Sequence, residues 1–149
     1  MADDNVLLNE MSWTEVEEAQ KERLIALLPV GTTEAHGPHL PLTTDTIIAV
    51  ELARRGVKKL EERGLHGLIA PPVTFSVSAL AADFPGTFSL PAETVEALVR
   101  DLCIALSKKF RAVALVNVNQ EPGHIEVLKK AVEEANAAGA SACLTDFAK

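Results

Sequence analysis

Apolar and polar positions along this chain fall into blocks with two different spacings. Short continuous apolar runs predict buried strands, and apolar residues recurring every three or four positions predict helices. The predicted strands cover 24–30, 68–73, 112–118 and 141–147. The first predicted helix runs from a capping box at Ser12 and Glu15 to about Gln20, and the second covers 45–62. The third runs from about Pro91 through Leu106, and the fourth from Pro122 to just before Gly139. Strands with helices between them predict an α/β fold with a mostly parallel sheet covered on both faces.

One segment interrupts this order. Residues 74–83 are small and apolar without a clear period, and the following run from Phe84 to Leu90 predicts a turn that enters a short strand. A connection this long is uncommon in a compact domain unless it lines a site or an interface. We therefore expect residues 74–90 to contribute to one or the other.

Length and composition limit the classes of protein to consider. The 149 residues are enough for a core of their own, and we expect a single domain over 1–149. A net charge of −7 argues against a nucleic acid or an anionic membrane as partner. No signal peptide is visible, and no apolar run approaches the ~20 residues of a membrane span.

The two cysteines, Cys103 and Cys143, both lie in apolar surroundings and not at a metal-binding spacing. We interpret them as buried thiols of a protein in the reducing cytoplasm, rather than as a disulfide.

The densest chemistry follows the first predicted strand. Glu34, His36 and His39 lie within six positions, and Asp45 follows shortly after. Ligand sites of α/β folds gather at the carboxyl ends of strands. Carboxylate oxygens together with imidazole nitrogens are suitable ligands for a divalent metal ion. The sequence thus predicts a metal site here.

Three motifs carry a family resemblance. The first is the run from Pro29 to Thr46, Pro-Val-Gly-Thr-Thr-Glu-Ala-His-Gly-Pro-His-Leu-Pro-Leu-Thr-Thr-Asp-Thr; the second is Phe84-Pro-Gly-Thr87; the third is Val116-Asn117 at the end of a strand. In these motifs the chain resembles the creatininase (creatinine amidohydrolase) family. The first run matches the family's N-terminal metal motif, and the third falls where the family carries Asn-Gly-His.

The resemblance implies a three-layer α/β/α sandwich with a mostly parallel sheet. It also implies a pair of divalent metal ions, zinc or manganese with iron as a further candidate. Such enzymes hydrolyse C–N bonds of cyclic or linear amides through metal-bound hydroxide. Carried over by position, Glu34 would bind one metal, His36 and Glu121 the other, and Asp45 would bridge the two.

The chain also departs from the family pattern. Asn119 stands where the family has the histidine of Asn-Gly-His, and Ala81 replaces a histidine before the second motif. Members of the family usually continue beyond the position of Lys149, through a His-Ala-Gly-Glu-type segment that serves substrate binding and proton transfer. The catalytic groups are therefore unknown. We expect about one ion per chain, held by His36, Asp45 and Glu121.

Each candidate also has a purely structural interpretation. Glu34, His36 and Asp45 could serve only as hydrogen-bonding loop residues, with Asp45 as the N-cap of its helix. Glu121 could be favoured at a helix N-terminus by the dipole alone. Three residues are candidates for supporting the ligands from outside: His39, which we interpret as part of a stiff turn; Asn119; and His124, which we expect on a helix surface rather than on a metal.

Two functions therefore stay open. One is a metal-dependent amidohydrolase acting on a small-molecule amide, and the other is a non-catalytic member of the family kept for metal binding or assembly. In either case we expect a homo-oligomer or a complex with a second chain, because the predicted last strand leaves a sheet edge uncovered.

Overall fold

The computed structural model describes residues 6–22 and 24–145. Its strands are β1 (Ile25–Val30), β2 (Gly67–Ile69), β3 (Ala112–Asn117) and β4 (Ala142–Leu144). Its helices are α1 (Trp13–Gln20), α2 (Thr44–Glu61), α3 (Ala92–Ser107) and α4 (Pro122–Ala137), with a short 3-10 turn at Leu8–Glu10. The four helices and the four main strands of the sequence analysis are all found. β2 and β4 are shorter than predicted, and residues 146–147 of the predicted last strand lie outside the described residues.

Local sequence signals explain where the helices begin. The Ser12 side chain and the Glu15 side chain form the predicted capping box of α1. Pro122 stands in the first turn of α4, where its missing N–H costs nothing. One prediction of detail is wrong, because Pro91 is the N-cap of α3 rather than a residue of the helix. The alternative interpretation of Asp45 as an N-cap does not hold, because α2 begins one residue earlier, at Thr44.

The four strands form one parallel sheet in the order β2-β1-β3-β4. Ile25 pairs with Gly67 of β2 on one side and with Ala112 of β3 on the other. Side chains alternate between the two faces of β1: Leu27 packs in one cluster with Ala53 and Val57 of α2. The neighbouring β1 residues pack in a second cluster with α3 and α4. The sheet thus lies between helices on both faces, which confirms the three-layer α/β/α arrangement.

The strand order creates a crevice at one place. From β1 the chain crosses to β2 on one side, whereas β3 and β4 are added on the other side. The loops that leave the carboxyl ends of β1 and β3 therefore diverge between these two central strands. Such a reversal point is where open α/β sheets bind ligands. The metal motif follows β1, and the segment from Val118 to Glu121 follows β3, so both reach this crevice.

The irregular segment between β2 and α3 runs over the same end of the sheet. The predicted short strand is reduced to a single bridge between Ser76 and Ser89. The Phe75 and Phe88 rings meet edge to face, 6.2 Å apart, and both are about half exposed. Leu80 is 78% exposed. This connection therefore presents apolar side chains to solvent beside the crevice.

The cysteines differ from each other. Cys103 is buried as predicted, and burial raises the pKa of its thiol to about 11. Cys143 is exposed, so the prediction of a second buried thiol is wrong. It lies on β4, an edge strand whose residues are covered only partly.

Within the described residues, we find no helix with the length and apolar character to cross a membrane.

Candidate metal centre

Three of the predicted ligands meet at the crevice. One potential ligand atom from each of Glu34, His36 and Asp45 lies within 4.8 Å of the others. Gly31 at the end of β1 permits this, since a Cβ there would lie 2.5 Å from Thr46 Oγ1 and 2.6 Å from Thr46 N. The loop after β1 can therefore pass directly against the first turn of α2. That contact brings the carboxylate of the helix to the acid and the imidazole of the loop.

The two ring nitrogens of His36 contact the backbone of Glu34 and the carboxylate of Asp45. Nδ1 lies 3.0 Å from the Glu34 carbonyl oxygen, and Nε2 lies 3.1 Å from Asp45 Oδ1. A carbonyl oxygen only accepts, so Nδ1 carries the proton. In the neutral ring Nε2 then offers a lone pair toward a carboxylate oxygen. This contact is favourable only if the ring takes a second proton or if a cation lies between the two atoms.

The metal-free environment of His36 favours its charged form. Burial lowers the pKa of the imidazole. The hydrogen bond to the Glu34 carbonyl and the neighbouring Asp45 and Glu34 carboxylates raise it by more, and the net shift is upward. The acids thus provide a local negative field, which would serve a divalent cation as well as it serves a proton.

Asp45 is buried and its two oxygens face different partners. Oδ2 accepts hydrogen bonds from the Thr32 hydroxyl at 2.6 Å and from the Asn119 amide at 2.9 Å. Oδ1 faces His36. Thr32 and Asn119 therefore fix the carboxylate so that one oxygen is left for the ring or for an ion.

Glu34 supplies the clearest sign of a missing partner. Its Oε1 accepts a hydrogen bond from Asn119 Nδ2 at 3.2 Å. Its Oε2 is buried and has no hydrogen-bond partner among the described residues. A buried carboxylate oxygen without a donor is costly, and a cation removes that cost. The orphaned oxygen and the lone pair of His36 show that these residues fit a divalent metal ion.

Asn119 enters the site as a donor. The Glu121 backbone N–H donates to Asn119 Oδ1 at 2.8 Å, which fixes the orientation of the carboxamide. The NH₂ group consequently points at Thr32 Oγ1, Glu34 Oε1 and Asp45 Oδ2. A positively polarised group thus stands between the two acids, at the position where the family resemblance led us to expect a histidine.

Glu121 lies on the wall of the same cavity, but its carboxylate is engaged elsewhere. Its oxygens accept from the backbone N–H groups of Ala79, at 2.9 Å, and Leu80, at 3.4 Å. The three ligands that meet are therefore Glu34, His36 and Asp45, and Glu121 is not part of that group. Its role as a ligand stays a prediction and would require its side chain to leave the loop.

The other two histidines of interest lie in opposite environments. His39 is exposed on the turn after Gly37. His124 is completely buried, so the prediction of a helix-surface histidine is wrong. Its position four residues before the inward-facing Leu128 was the signal for burial. Sequence reasoning named Thr32 and Asn117 only as parts of motifs and gave Ser76 no role. The polar side chains of all three hold the site together from distant parts of the chain.

The site opens into a cavity of about 320 Å³. Its walls combine the acid–imidazole group with the irregular segment and the loop after β3. The lining residues are Glu34, His36, Asp45, Leu80, Ala81, Val118, Asn119, Gln120 and Glu121. A larger surface groove runs along α4 and shares Gln120 with this cavity, but its lining includes none of Glu34, His36 and Asp45. The smaller cavity is therefore the candidate active site.

The fold and the site together place the chain among α/β/α sandwich proteins with acids and an imidazole at the reversal point of the sheet. The chain belongs to the creatininase (creatinine amidohydrolase) family, whose sequence model matches residues 9–148. It is 38% identical over 125 residues to a mycofactocin precursor peptide peptidase of Mycobacterium ulcerans, covering 78% of this chain and 49% of the relative. It is 27% identical over 124 residues to the creatinine amidohydrolase of Pseudomonas putida, covering 82% and 46%. The chain thus spans about half the length of these curated relatives.

Solved structures agree on the fold. A structure named creatininase Mn has a TM-score of 0.77 at 23% identity, covering 96% of this chain and 58% of its own. A putative creatinine amidohydrolase from Bacteroides fragilis has a TM-score of 0.78 at 21% identity, covering 97% and 56%. At this level of identity the likeness establishes the architecture alone.

Proposed function

We propose that this chain carries the metal site of a hydrolase that cleaves a C–N bond of a cyclic or linear amide. The observation that carries the proposal is the unsatisfied geometry at the crevice. Glu34 Oε2 is buried and has no donor within the described ranges, and the lone pair of His36 faces Asp45 Oδ1. A divalent ion coordinated by these three side chains satisfies all of these atoms at once.

The chemistry follows from what such an ion supplies. When bound, a divalent ion lowers the pKa of a coordinated water and polarises an amide carbonyl. The residues of the chain do the rest: Thr32 and Asn119 hold Asp45 in one orientation, and the Glu34 carbonyl holds the His36 ring. This network fixes the ligands before any ion binds, which lowers the entropic cost of forming the site.

The relatives support the same reaction class. The names mycofactocin precursor peptide peptidase and creatinine amidohydrolase both denote hydrolysis of an amide C–N bond. The substrate of this chain is proposed only as an amide. Zinc and manganese are the proposed ions, with iron as a further candidate, because one nitrogen and several oxygens suit each of them. Among solved relatives, one creatininase is named with Mn and another as a Zn-Zn type.

We propose one ion per chain. Glu34, His36 and Asp45 converge on one point, whereas the space between Glu34 and Asp45 on the other side is filled by the Asn119 amide. Two cations would need a further ligand, and Asn119 presents its NH₂ group rather than its oxygen. If Glu121 is a ligand, its side chain must first exchange its backbone N–H partners for the ion.

The experiment that tests the proposal is hydrolysis by the purified protein loaded with zinc or manganese. Substrates would be a panel of cyclic and linear amides, including short peptides. We expect turnover that disappears in chelator and in His36→Ala. A matched control is His66→Ala, because His66 is an exposed histidine that pairs with Glu22 outside the cavity. Loss of turnover in the control as well, or turnover that persists in chelator, would contradict a metal-dependent reaction at this site.

A second candidate is a non-catalytic member of the family that binds a metal or takes part in assembly. The observation in its favour is Asn119, which compensates the two acids by hydrogen bonds. In addition, the cavity lining includes no obvious general acid apart from its carboxylates and His36. A second chain or a water would have to protonate the leaving amine. Tight metal binding without turnover of any amide would favour this candidate.

We also propose that the chain works as a homo-oligomer or with a second chain. β4 is an edge strand of the described sheet, and unprotected edges favour pairing. Beside the cavity, the irregular segment exposes Phe75, Leu80, Phe84 and Phe88, and large apolar patches often mark interfaces. Light scattering coupled to gel filtration measures this directly. A mass of 15.9 kDa for the chain alone would contradict self-association.

A cytoplasmic location stays a prediction, which the two free thiols support.

A further inference from the structure

A chain of buried hydrogen bonds lies beneath the candidate metal centre. Ser76 Oγ lies 2.7 Å from His124 Nδ1, and His124 Nε2 lies 2.9 Å from Asn117 Oδ1. Ser76 and His124 are completely buried, and Asn117 is nearly so. The three residues come from the irregular segment, from α4 and from the end of β3. None belongs to the group of converging ligands, and the proposed reaction uses none of them.

The direction of every hydrogen bond in this chain is determined. The Asn119 backbone N–H donates to Asn117 Oδ1 at 3.0 Å, and Asn117 Nδ2 donates to the Asn119 carbonyl at 2.9 Å. Asn117 Oδ1 is therefore an acceptor, so His124 Nε2 must carry a proton and donate to it. Nδ1 then accepts from the Ser76 hydroxyl. Burial lowers the pKa of His124 to about 4, against the opposing effect of the Asp45 charge, so the ring is neutral near pH 7.

The chain of contacts continues from the imidazole into the metal centre. Asn117 clamps both backbone polar groups of Asn119, and the Asn119 side chain reaches Glu34 and Asp45. We propose that His124 is a positioning residue, whose buried imidazole orients Asn117 and thereby holds the Asn119 amide against the two acids. Its effect on ion binding rests on the proposed function, whereas its effect on Asn119 does not.

If His124 only filled space, substitution by another side chain of similar size would leave the Asn119 amide unchanged. A leucine of similar size would satisfy packing, but it would leave the Ser76 hydroxyl and one acceptor site of Asn117 without partners. Asn117 would then lose one of the three hydrogen bonds that fix the orientation of its carboxamide. A glutamine instead keeps an N–H donor that can reach Asn117. The two substitutions therefore separate packing from hydrogen bonding at this one position.

The experiment compares His124→Leu and His124→Gln with wild type and with Val132→Ala, a buried substitution two turns further along α4. Nitrogen-15 NMR of the metal-free protein reports the ring tautomer of His124 and the side-chain amide of Asn119. We expect a neutral ring protonated at Nε2 in wild type. In His124→Leu, the Asn119 amide should change its chemical shift and exchange its protons faster. His124→Gln should restore the wild-type behaviour, and Val132→Ala should leave it unchanged.

Zinc titration of the same four proteins gives the functional consequence. Loss of a residue that orients the surroundings of metal ligands typically costs about 10- to 100-fold in affinity, and we expect the lower end for His124→Leu. A ring protonated at Nδ1 alone, or an Asn119 amide unaffected in His124→Leu, would overturn the inference. The ring tautomer is measured in wild type, so it can overturn the inference even if the leucine variant does not fold. A wild type that binds no ion would refute the proposed function instead, because the amide readout is taken without metal.

Discussion

Glu34 and Glu121 lie on the same cavity, yet their carboxylates are in opposite states. Glu121 accepts hydrogen bonds from two backbone N–H groups of the irregular segment. Glu34 accepts one from Asn119, and its second oxygen is buried with no donor in the part of the chain that the structure describes. The Glu121 carboxylate is satisfied by the protein and stabilises a loop, whereas one oxygen of the Glu34 carboxylate has no donor among residues 6–22 and 24–145. The comparison identifies which acid the fold has left available for a cation.

The largest effect is expected at the residue that connects both sides of the centre. Asp45→Ala removes the carboxylate between His36 and Asn119, so zinc affinity should fall by at least about 100-fold, more than for a supporting residue. Metal at about one hundred times its dissociation constant should stabilise wild type by about 2.7 kcal/mol and the variant hardly at all. Thermal unfolding with and without metal measures the difference. Glu61→Ala, at the exposed far end of α2, is the control. Equal stabilisation of Asp45→Ala and wild type by metal would refute the role of Asp45.

The pH dependence of stability tests the network behind Asn119. Because the folded pKa of His124 lies near 4, below the ordinary value of 6.5, folding excludes a proton that the unfolded chain takes up. The contribution of neutral His124 to the free energy of unfolding is fully present above pH 6.5 and is lost as the pH falls toward 4. At about 1.4 kcal/mol per pKa unit, the loss is roughly 3 kcal/mol. The raised pKa of His36 acts in the opposite direction and offsets part of it.

Urea denaturation in chelator at several pH values measures this loss. The matched variant is His124→Gln, which keeps a donor to Asn117 but cannot titrate. Its stability should fall less steeply than that of wild type as the medium becomes acidic, because only the other groups still titrate. Parallel curves for the two proteins would show that His124 is not the group responsible.

Substitution by glutamine should affect stability at Glu121 and zinc affinity at Glu34. Glu121→Gln replaces a charged acceptor of two N–H groups by an amide that can accept only through its one oxygen, which should cost about 1 kcal/mol of stability. Glu34→Gln removes a charge beside Asp45 and an orphaned carboxylate oxygen, so in chelator it should unfold no more easily than wild type. Zinc titration should show the reverse ranking, with the larger loss of affinity at Glu34. Greater loss at Glu121 would mean that its side chain leaves the loop to bind the ion.

A subtler effect concerns the number of ions. Asn119→His would replace the amide between the acids by an imidazole that can coordinate. We expect zinc titration of this variant to show a second, weaker equivalent, with Asn119→Gln as a control that adds no comparable ligand. A wild type that already binds two equivalents, both retained in Asn119→Ala, would show that the amide does not occupy a metal position.

The sequence was informative where the signal is periodic or local. Strands and helices follow from apolar spacing, and the centre was predictable because Glu34 and His36 are neighbours after a strand. The degree of burial was harder to predict from the sequence. Ile48 and Leu98 lie on the apolar stripes of their helices, yet both are more than 40% exposed. A helical stripe defines a face, and only packing decides how wide the covered part is.

Side-chain direction and distant partners were beyond the sequence. The spacing brings Glu121 to the cavity, but the backbone N–H groups that its carboxylate accepts from lie 41 and 42 positions away. The partner of His124, Ser76, is 48 positions away in a segment without periodicity. Such contacts depend on the path of the irregular segment across the sheet, which no local pattern encodes.

The most direct test of the central claim is the metal content and affinity of the wild-type protein. Purified protein should be stripped by chelator, supplemented with zinc or manganese, freed of excess ion and examined by elemental mass spectrometry. We predict about one tightly held ion per chain, absent in Asp45→Ala and reduced in Glu34→Gln. A wild type that retains no ion after supplementation with either metal would contradict it.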